Sequence, residues 1–217
     1  MARRGEIDWD ALQSWSAESA GCVLTTAQVD QLRIYLDTLQ LWNRKLALVS
    51  QHQAAQIVDK HIADSLFAAG RCGGTDAVID LGSGAGFPGL PIAIARPNAR
   101  VSLVEARGKK ASFLEEACRV AVIRNASICH ARIEAIAEDD AHCGRYEIVT
   151  ARALTSLAEF LAMARPFLRP GGRAIAMRSL GQDREAEPAQ AEEVVYQLPD
   201  GTPRRLVIVN DALPSDS

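Results

Sequence analysis

At 217 residues, 48% hydrophobic and 24% charged, the chain can bury a core of its own without disulfide or metal support. A formal net charge of −3 excludes a broadly basic nucleic-acid coat, and five scattered cysteines with no C-x-x-C pair exclude a disulfide framework. MARRGEIDWD turns polar at once, and no apolar run approaches the ~20 residues of a membrane span, so a cytoplasmic chain without leader or anchor is expected.

In chain order, the first predicted helix opens at Thr25, whose spacing to Gln28 is that of a capping box. Apolar residues then return at Val29, Leu32, Leu36, Leu39, Trp42 (or its neighbour Leu41) and Leu46, the stripe of an amphipathic helix. Ser50 with Gln53 offers a second capping box, for a helix carrying Ile57, Val58, Ile62 and Leu66 and stopped by the glycines of residues 70–74. From there the period changes. Short apolar runs at Val78–Leu81, Val101–Val104, Ser127–Cys129, Ile148–Ala151 and Ala174–Met177 predict strands. The stretches 89–96, 108–122, 133–139 and 155–168 between and after them predict helices. Such alternation means a parallel sheet, doubly wound by right-handed crossovers, with ligands at the carboxyl ends of the strands. Val194–Leu198 and Leu206–Val209 flank a PDGTP turn and predict a hairpin added to the sheet edge, while the closing LPSDS reads as frayed. The expected organisation is a helical extension over residues 1–72 packed on an α/β core over residues 73–217, one compact unit.

The strongest local signal is VIDLGSGAGFPGLP, residues 78–91, where a strand runs into a glycine-rich turn and then a helix. Gly84-x-Gly86-x-x-Gly89 fits the dinucleotide fingerprint, and Glu105 ends the next strand about twenty residues on, where an acid can grip ribose hydroxyls. NAD and S-adenosylmethionine both satisfy those facts. Asp80 directly before the turn, and Phe87–Pro88 inside it, resemble the first motif of class I methyltransferases. FLRPGGRAIAM at 167–177 resembles the segment leading into their fifth strand, and the edge hairpin resembles their sixth and seventh strands. These features favour S-adenosylmethionine over NAD, on a Rossmann-like fold with a mainly parallel seven-stranded sheet.

A closer resemblance spans residues 35 to 210. It is carried by WNRKLALV (42–49), HIADS (61–65), DLGSGAGFPGLPIAI (80–94), EARGKKASFL (105–114), TARAL (150–154) and RLVIV (205–209), in that order. Together these are similar to the RsmG/GidB family, bacterial enzymes that methylate a guanine N7 in 16S ribosomal RNA. The resemblance implies a cofactor site at Gly82, Gly84, Phe87, Glu105, Ile133, Glu134 and Arg152, and 16S RNA or the small subunit as partner. It departs at Met177-Arg178-Ser179, where the family commonly has lysine; arginine keeps the charge but changes its donor geometry.

No His–Asp dyad or cysteine nucleophile motif stands out, which suits an acceptor that needs no general base. Asp80 reads as a brace for the turn. Arg152 and Arg178 are candidates to position the acceptor, or else to brace a carboxylate. His61 and Asp64, three apart, share a helix face and either close over the cofactor or cap the glycine loop. Arg107, Lys109 and Lys110, with Arg119 and Arg124, form one candidate RNA surface; Arg165, Arg169, Arg173 and Arg178 form another. Either set is equally a solvated helix face. Cys129–His130 and His142–Cys143 are poor metal ligands, since neighbours in a strand point to opposite faces, so no metal is expected. A monomer is expected. The rivals are a methyltransferase with a different acceptor, an NAD-dependent oxidoreductase, and a cofactor-binding module without catalysis.

Overall fold

The computed structural model describes residues 7–50, 54–74, 76–152, 155–180 and 191–210. Four helical segments come first: α1 (Trp9–Ala20), α2 (Thr26–Leu46), α3 (Ala54–Ile57) and α4 (Ala63–Ala69), with a π-helical turn, Val58–Ile62, joining the last two. The α/β part alternates β1 (Ala77–Leu81), α5 (Gly89–Ala95), β2 (Arg100–Val104), α6 (Gly108–Val120), β3 (Ala126–Cys129), α7 (Ile133–Ala137), β4 (Tyr146–Arg152), α8 (Leu157–Ala164) and β5 (Leu168–Ser179). It closes with β6 (Glu192–Gln197) and β7 (Pro203–Asn210).

The strands form one seven-stranded sheet in the order β3-β2-β1-β4-β5-β7-β6, parallel through β5 and antiparallel at β7 and β6. The expected doubly wound sheet with an edge hairpin is therefore present. One face of the sheet carries α5 and α6, and α1, α2 and α4 pack into the same apolar core. The other face is covered by α7 and α8. One continuous core thus joins Leu32, Leu36 and Leu66 of the first helices to Val78, Ile92 and Phe113.

The Thr25–Gln28 capping box forms in both directions, and the α2 stripe resolves to Trp42, which packs partly buried against the core, with Leu41 left in water. The Gln53 half of the second box lies outside the described residues, as do the closing LPSDS residues. Helix α1 is an addition to the sequence reading. It buries only Leu12, Ser16 and Ala20, a stripe too narrow and too polar to stand out by periodicity, although Asp8 caps it and Gly21 ends it in the left-handed region. The Pro-Gly-Gly segment lies inside β5 rather than before it. The register slips between Tyr146↔Leu168 and Ile148↔Arg173, so extra residues of β5 bulge around Pro170, Gly171 and Gly172.

Replacing Thr25 with alanine removes the hydroxyl that accepts the Gln28 amide, one half of the capping box on the longest described helix, and leaves the Thr25 backbone amide on Gln28. Urea unfolding of Thr25→Ala should show a loss of about 1 kcal/mol with an unchanged slope.

Candidate functional site

Strand order reverses between β1 and β4, and the loop after β1 and the last residue of β4 flank that point at the carboxyl edge of the sheet. Two acids shape the loop. Asp80, fully buried near the end of β1, accepts the Gly89 amide through Oδ2 at 3.1 Å, and its carbonyl accepts the Ser83 hydroxyl at 3.0 Å. A Cβ on Gly89 would lie 2.8 Å from Asp80 Oδ2, so the brace itself demands glycine there. Burial, helped by the Glu105 charge, pushes the Asp80 carboxyl up to about 7, against the Gly89 hydrogen bond.

Glu105, just past β2, accepts the Gly84 amide through Oε2 at 2.9 Å and the Arg107 amide through Oε1 at 2.8 Å. It ties the turn after β1 to the turn after β2, and each oxygen keeps a further lone pair for a ligand. Gly84 has φ +57°, and a Cβ there would meet nothing nearer than Gly82 O at 3.7 Å and Lys110 Nζ at 3.9 Å. The space above Gly84 is open cavity.

That cavity, about 400 Å3, is walled by Gly82, Gly84 and Phe87 of the loop, His61, Lys110, Arg152 and Arg204, with Leu48–Ser50 at one side. Helix α2 supports the loop from behind. The Tyr35 hydroxyl donates to Ala85 O at 2.6 Å, and its ring meets Phe87 edge-on with centroids 5.6 Å apart. His61 stacks on Phe87 as well, centroids 5.1 Å apart at 24°.

Behind His61 lies a buried ionic cluster. Asp64 is 0% exposed and accepts Arg152 Nε at 3.1 Å, Arg204 Nη2 at 2.9 Å and the Tyr196 hydroxyl. Arg152 also donates to His61 Nδ1 and, at 3.2 Å, to the Lys60 carbonyl in the π-helical turn. A guanidinium only donates, so this contact makes Nδ1 the acceptor and places the imidazole proton on Nε2. Burial, then the charges of Arg152, Arg204 and Lys60, lower the His61 pKa to about 3, which keeps the ring neutral. Burial likewise lowers Arg152 from its ordinary value while Asp64 acts in the opposite direction, and Tyr196 is held protonated by burial and by Asp64.

Of the residues named from sequence, Gly82, Gly84, Phe87, Arg152 and Lys110 meet around the cavity, with Glu105 directly beneath Gly84. Ile133 and Glu134 open α7, after β3, and lie outside the cavity wall. Arg107 and Lys109 are exposed at the start of α6. Arg178 is corrected as a surface contact: it is 4% exposed and its Nη1 donates to Thr155 O. The arginine set it belonged to is not one patch, because Arg169 and Arg178 stand at opposite ends of β5, about 20 Å apart along the Tyr146–Arg152 stretch of β4 that the strand pairs with. Arg173 donates instead to Arg71 O, and Arg169 pairs with Glu147. The sequence reading passed over Arg204 and Tyr196. The doubled arginine at the start of an apolar strand was the available signal: alternation sends Arg204 to the cavity side and Arg205 to the other face. Among the described residues no group of three or more His, Cys, Asp or Glu side chains is placed to hold a metal. Nor is any described helix long and apolar enough to cross a membrane.

Comparison with known proteins adds the following. Residues 28–203 match the family model described as GidB, rRNA small subunit methyltransferase G. The ribosomal RNA small subunit methyltransferase G of Chloroflexus aggregans is 37% identical over 210 residues, 91% of this chain and 87% of that protein. Its counterpart in Roseiflexus castenholzii is 40% identical over 170 residues, 78% of this chain and 73% of that one. Among solved structures, a putative O-methyltransferase from Klebsiella pneumoniae aligns with TM-score 0.56 at 16% identity, over 81% of this chain and 90% of its own. A SAM-dependent methyltransferase from Aquifex aeolicus aligns with TM-score 0.53 at 13% identity, over 71% and 92%. The two structural likenesses bear on the fold alone.

Because His61 titrates near 6.5 when unfolded and near 3 when folded, the unfolded chain holds the extra proton between those values. Stability therefore falls as pH drops through that window. His61→Gln lacks this component, so on going from about pH 7.5 to about pH 5 it should lose about 2 kcal/mol less than wild type in urea melts. Equal losses would place the charged form of His61 in the folded protein.

Proposed function

Because the chain belongs to the rRNA small subunit methyltransferase G family, we propose that it methylates N7 of one guanine in 16S ribosomal RNA. The enzyme class and the cofactor are those of the family: an rRNA methyltransferase that uses S-adenosylmethionine rather than NAD. The observation that carries the reading is the cavity at the β1/β4 reversal, with a glycine cradle open above Gly84, an acid beneath it and a cationic wall opposite.

In this reading Gly82, Gly84 and Phe87 hold the cofactor against the loop, Glu105 takes the ribose, Arg152 walls the cavity, and Ile133 and Glu134, outside that wall at the start of α7, are the positions the family resemblance adds. When bound, S-adenosylmethionine supplies a methyl group on a positively charged sulfur, so the protein's work is to align the acceptor with it. Guanine N7 offers a lone pair at neutral pH and needs no general base. The cavity is built accordingly. Its one imidazole, with a pKa near 3, is a feeble base, and Asp80 is walled off behind the glycine loop. Lys110, Arg152 and Arg204 are donors suited to phosphate and to the O6 that adjoins N7 on the same base edge. Arg178, held behind the wall by Thr155, acts as a positioning residue. The division at residues 72/73, a monomeric state and a cytoplasmic location complete the proposal.

Labelled S-adenosylmethionine offered with small subunits or free 16S RNA lacking the modification should yield label as 7-methylguanosine. Label elsewhere, or none, would overturn the acceptor. Gly84→Ala places a methyl group in the cradle at positive φ. Calorimetry should show adenosylhomocysteine affinity reduced about tenfold or more, with folding stability lowered by about 1 kcal/mol.

A further inference from the structure

A second cavity, apolar and about 270 Å3, lies at the carboxyl end of α2, lined by Leu41, Trp42, Lys45 and Leu46. It adjoins the first. Leu46 ends α2, Ala47 caps it in the left-handed region, and Leu48–Ser50 wall the large cavity. One residue, Ala47, separates the two walls, which are thus at most about 7 Å apart along the chain.

The pocket is held in shape by the core. Trp42 packs edge-on against Phe113, centroids 5.9 Å apart at 60°, and Phe113 is fully buried on α6. Leu41, by contrast, is 60% exposed, an apolar side chain beside an indole that core packing does not use.

Charge is distributed unevenly around it. Arg44 and Lys45 occupy the last turn of α2. Lys109 and Lys110 open α6 one turn before Phe113, and Lys110 reaches the large cavity. The acids lie farther along both helices: Asp37 one turn before Leu41, and Glu115 with Glu116, the latter paired to Arg119. A polyanion crossing the adjacent ends of α2 and α6 meets cations, and one running along the helices meets carboxylates. A pocket of this size beside a single indole takes one planar ring, not the side of a helix.

Resting on the reading of the chain as an RNA methyltransferase, we propose that this pocket is a second base-binding subsite. It takes an unstacked nucleobase next to the target guanine, packed against Trp42 and Leu41, while Lys45 and Lys110 face the phosphate between the two bases. Every base has a π face, so the subsite holds the strand's path without reading its sequence. It also gives the strand a second anchor that keeps the target base out of its stack.

Steady-state methylation of RNA by wild type, Leu41→Asp and Trp42→Phe, with adenosylhomocysteine affinity measured by calorimetry, tests this. Leu41→Asp changes an exposed rim and puts a negative charge beside the base, so the KM for RNA should rise about tenfold or more, the scale of one lost stacking contact. Trp42→Phe keeps a ring against Phe113 and should raise KM by a smaller factor. In both, kcat and cofactor affinity should hold within about twofold, the pattern of lost ground-state binding. Wild-type methylation of RNA with an unchanged KM in Leu41→Asp would overturn the subsite and leave the acceptor standing. A parallel loss of cofactor affinity would make these residues mere support for the first cavity and also overturn it. Failure of wild type to methylate RNA would overturn both readings.

Discussion

Asp64 has no access to water, and a carboxyl group so placed must be matched by hydrogen-bond donors or its burial is costly. Its donors come from separate parts of the chain: Arg152 at the end of β4, Tyr196 on β6 and Arg204 on β7. One side chain on α4 thereby fixes the distances between the first helices, the centre of the sheet and the closing hairpin. The stack of Tyr196 on Phe67, with Arg71 over the other side of that ring, fastens the same junction with apolar and cation–π contacts. Burying ions adds little net stability, because desolvation offsets attraction; here it supplies register. A one-residue slip of β7 would turn Leu206 and Ile208 away from the core that holds α4 and carry the residues beside Asp64 to the other face.

The π-helical turn follows from the same requirement. Arg152 must satisfy Asp64, yet its guanidinium has donors to spare, and these go to the Lys60 carbonyl and to His61 Nδ1. A wider turn makes a carbonyl available at that point and swings His61 against Phe87. The glycine loop is thus bounded by two aromatic rings, Tyr35 and His61, that arrive from helices preceding the sheet. Beneath it Asp80 and Glu105 hold the backbone amides. The loop's shape depends on glycine at Gly89 to admit Asp80, and on glycine at Gly84 to leave the cavity empty of side chain.

Much of this was legible in the sequence, and the parts that were not share a cause. Alternating periods gave the sheet, its order of crossovers and the edge hairpin, because a buried parallel strand is a short apolar run whatever surrounds it. The loop was legible because glycine reports on backbone geometry directly, as Gly84 and Gly89 do. Helix α1 escaped because Ser16 sits in the middle of its narrow buried stripe. Arg204 escaped because its partner, Asp64, is 140 residues away, and no spacing rule links an arginine to so distant a carboxylate. Arg178 looked like surface for a related reason: long cationic side chains are exposed by default, and only the fold shows which one has been drawn inside. Local signals specify elements; the cavity is made where elements from opposite ends of the chain converge.

That convergence also explains how an acidic chain addresses RNA. Net charge describes the whole surface, whereas a phosphate within one Debye length responds to the groups nearest to it. At the mouth of the cavity those groups are Lys110, Arg152 and Arg204, and the acids close by are buried behind the wall: Asp64 accepts from two guanidinium groups and a phenol, and Glu105 and Asp80 Oδ2 accept from backbone amides. The β-strand core supplies the glycine cradle, while the first helices and the residues after α2 supply His61, Leu48 and the Trp42 pocket. The glycine cradle is in this way built by the strand core, and the wall facing it by helices that such a core does not otherwise require. Removing those helices would strand Arg152 and Arg204 without their carboxylate, so the part that walls the cavity is also the part that completes the fold.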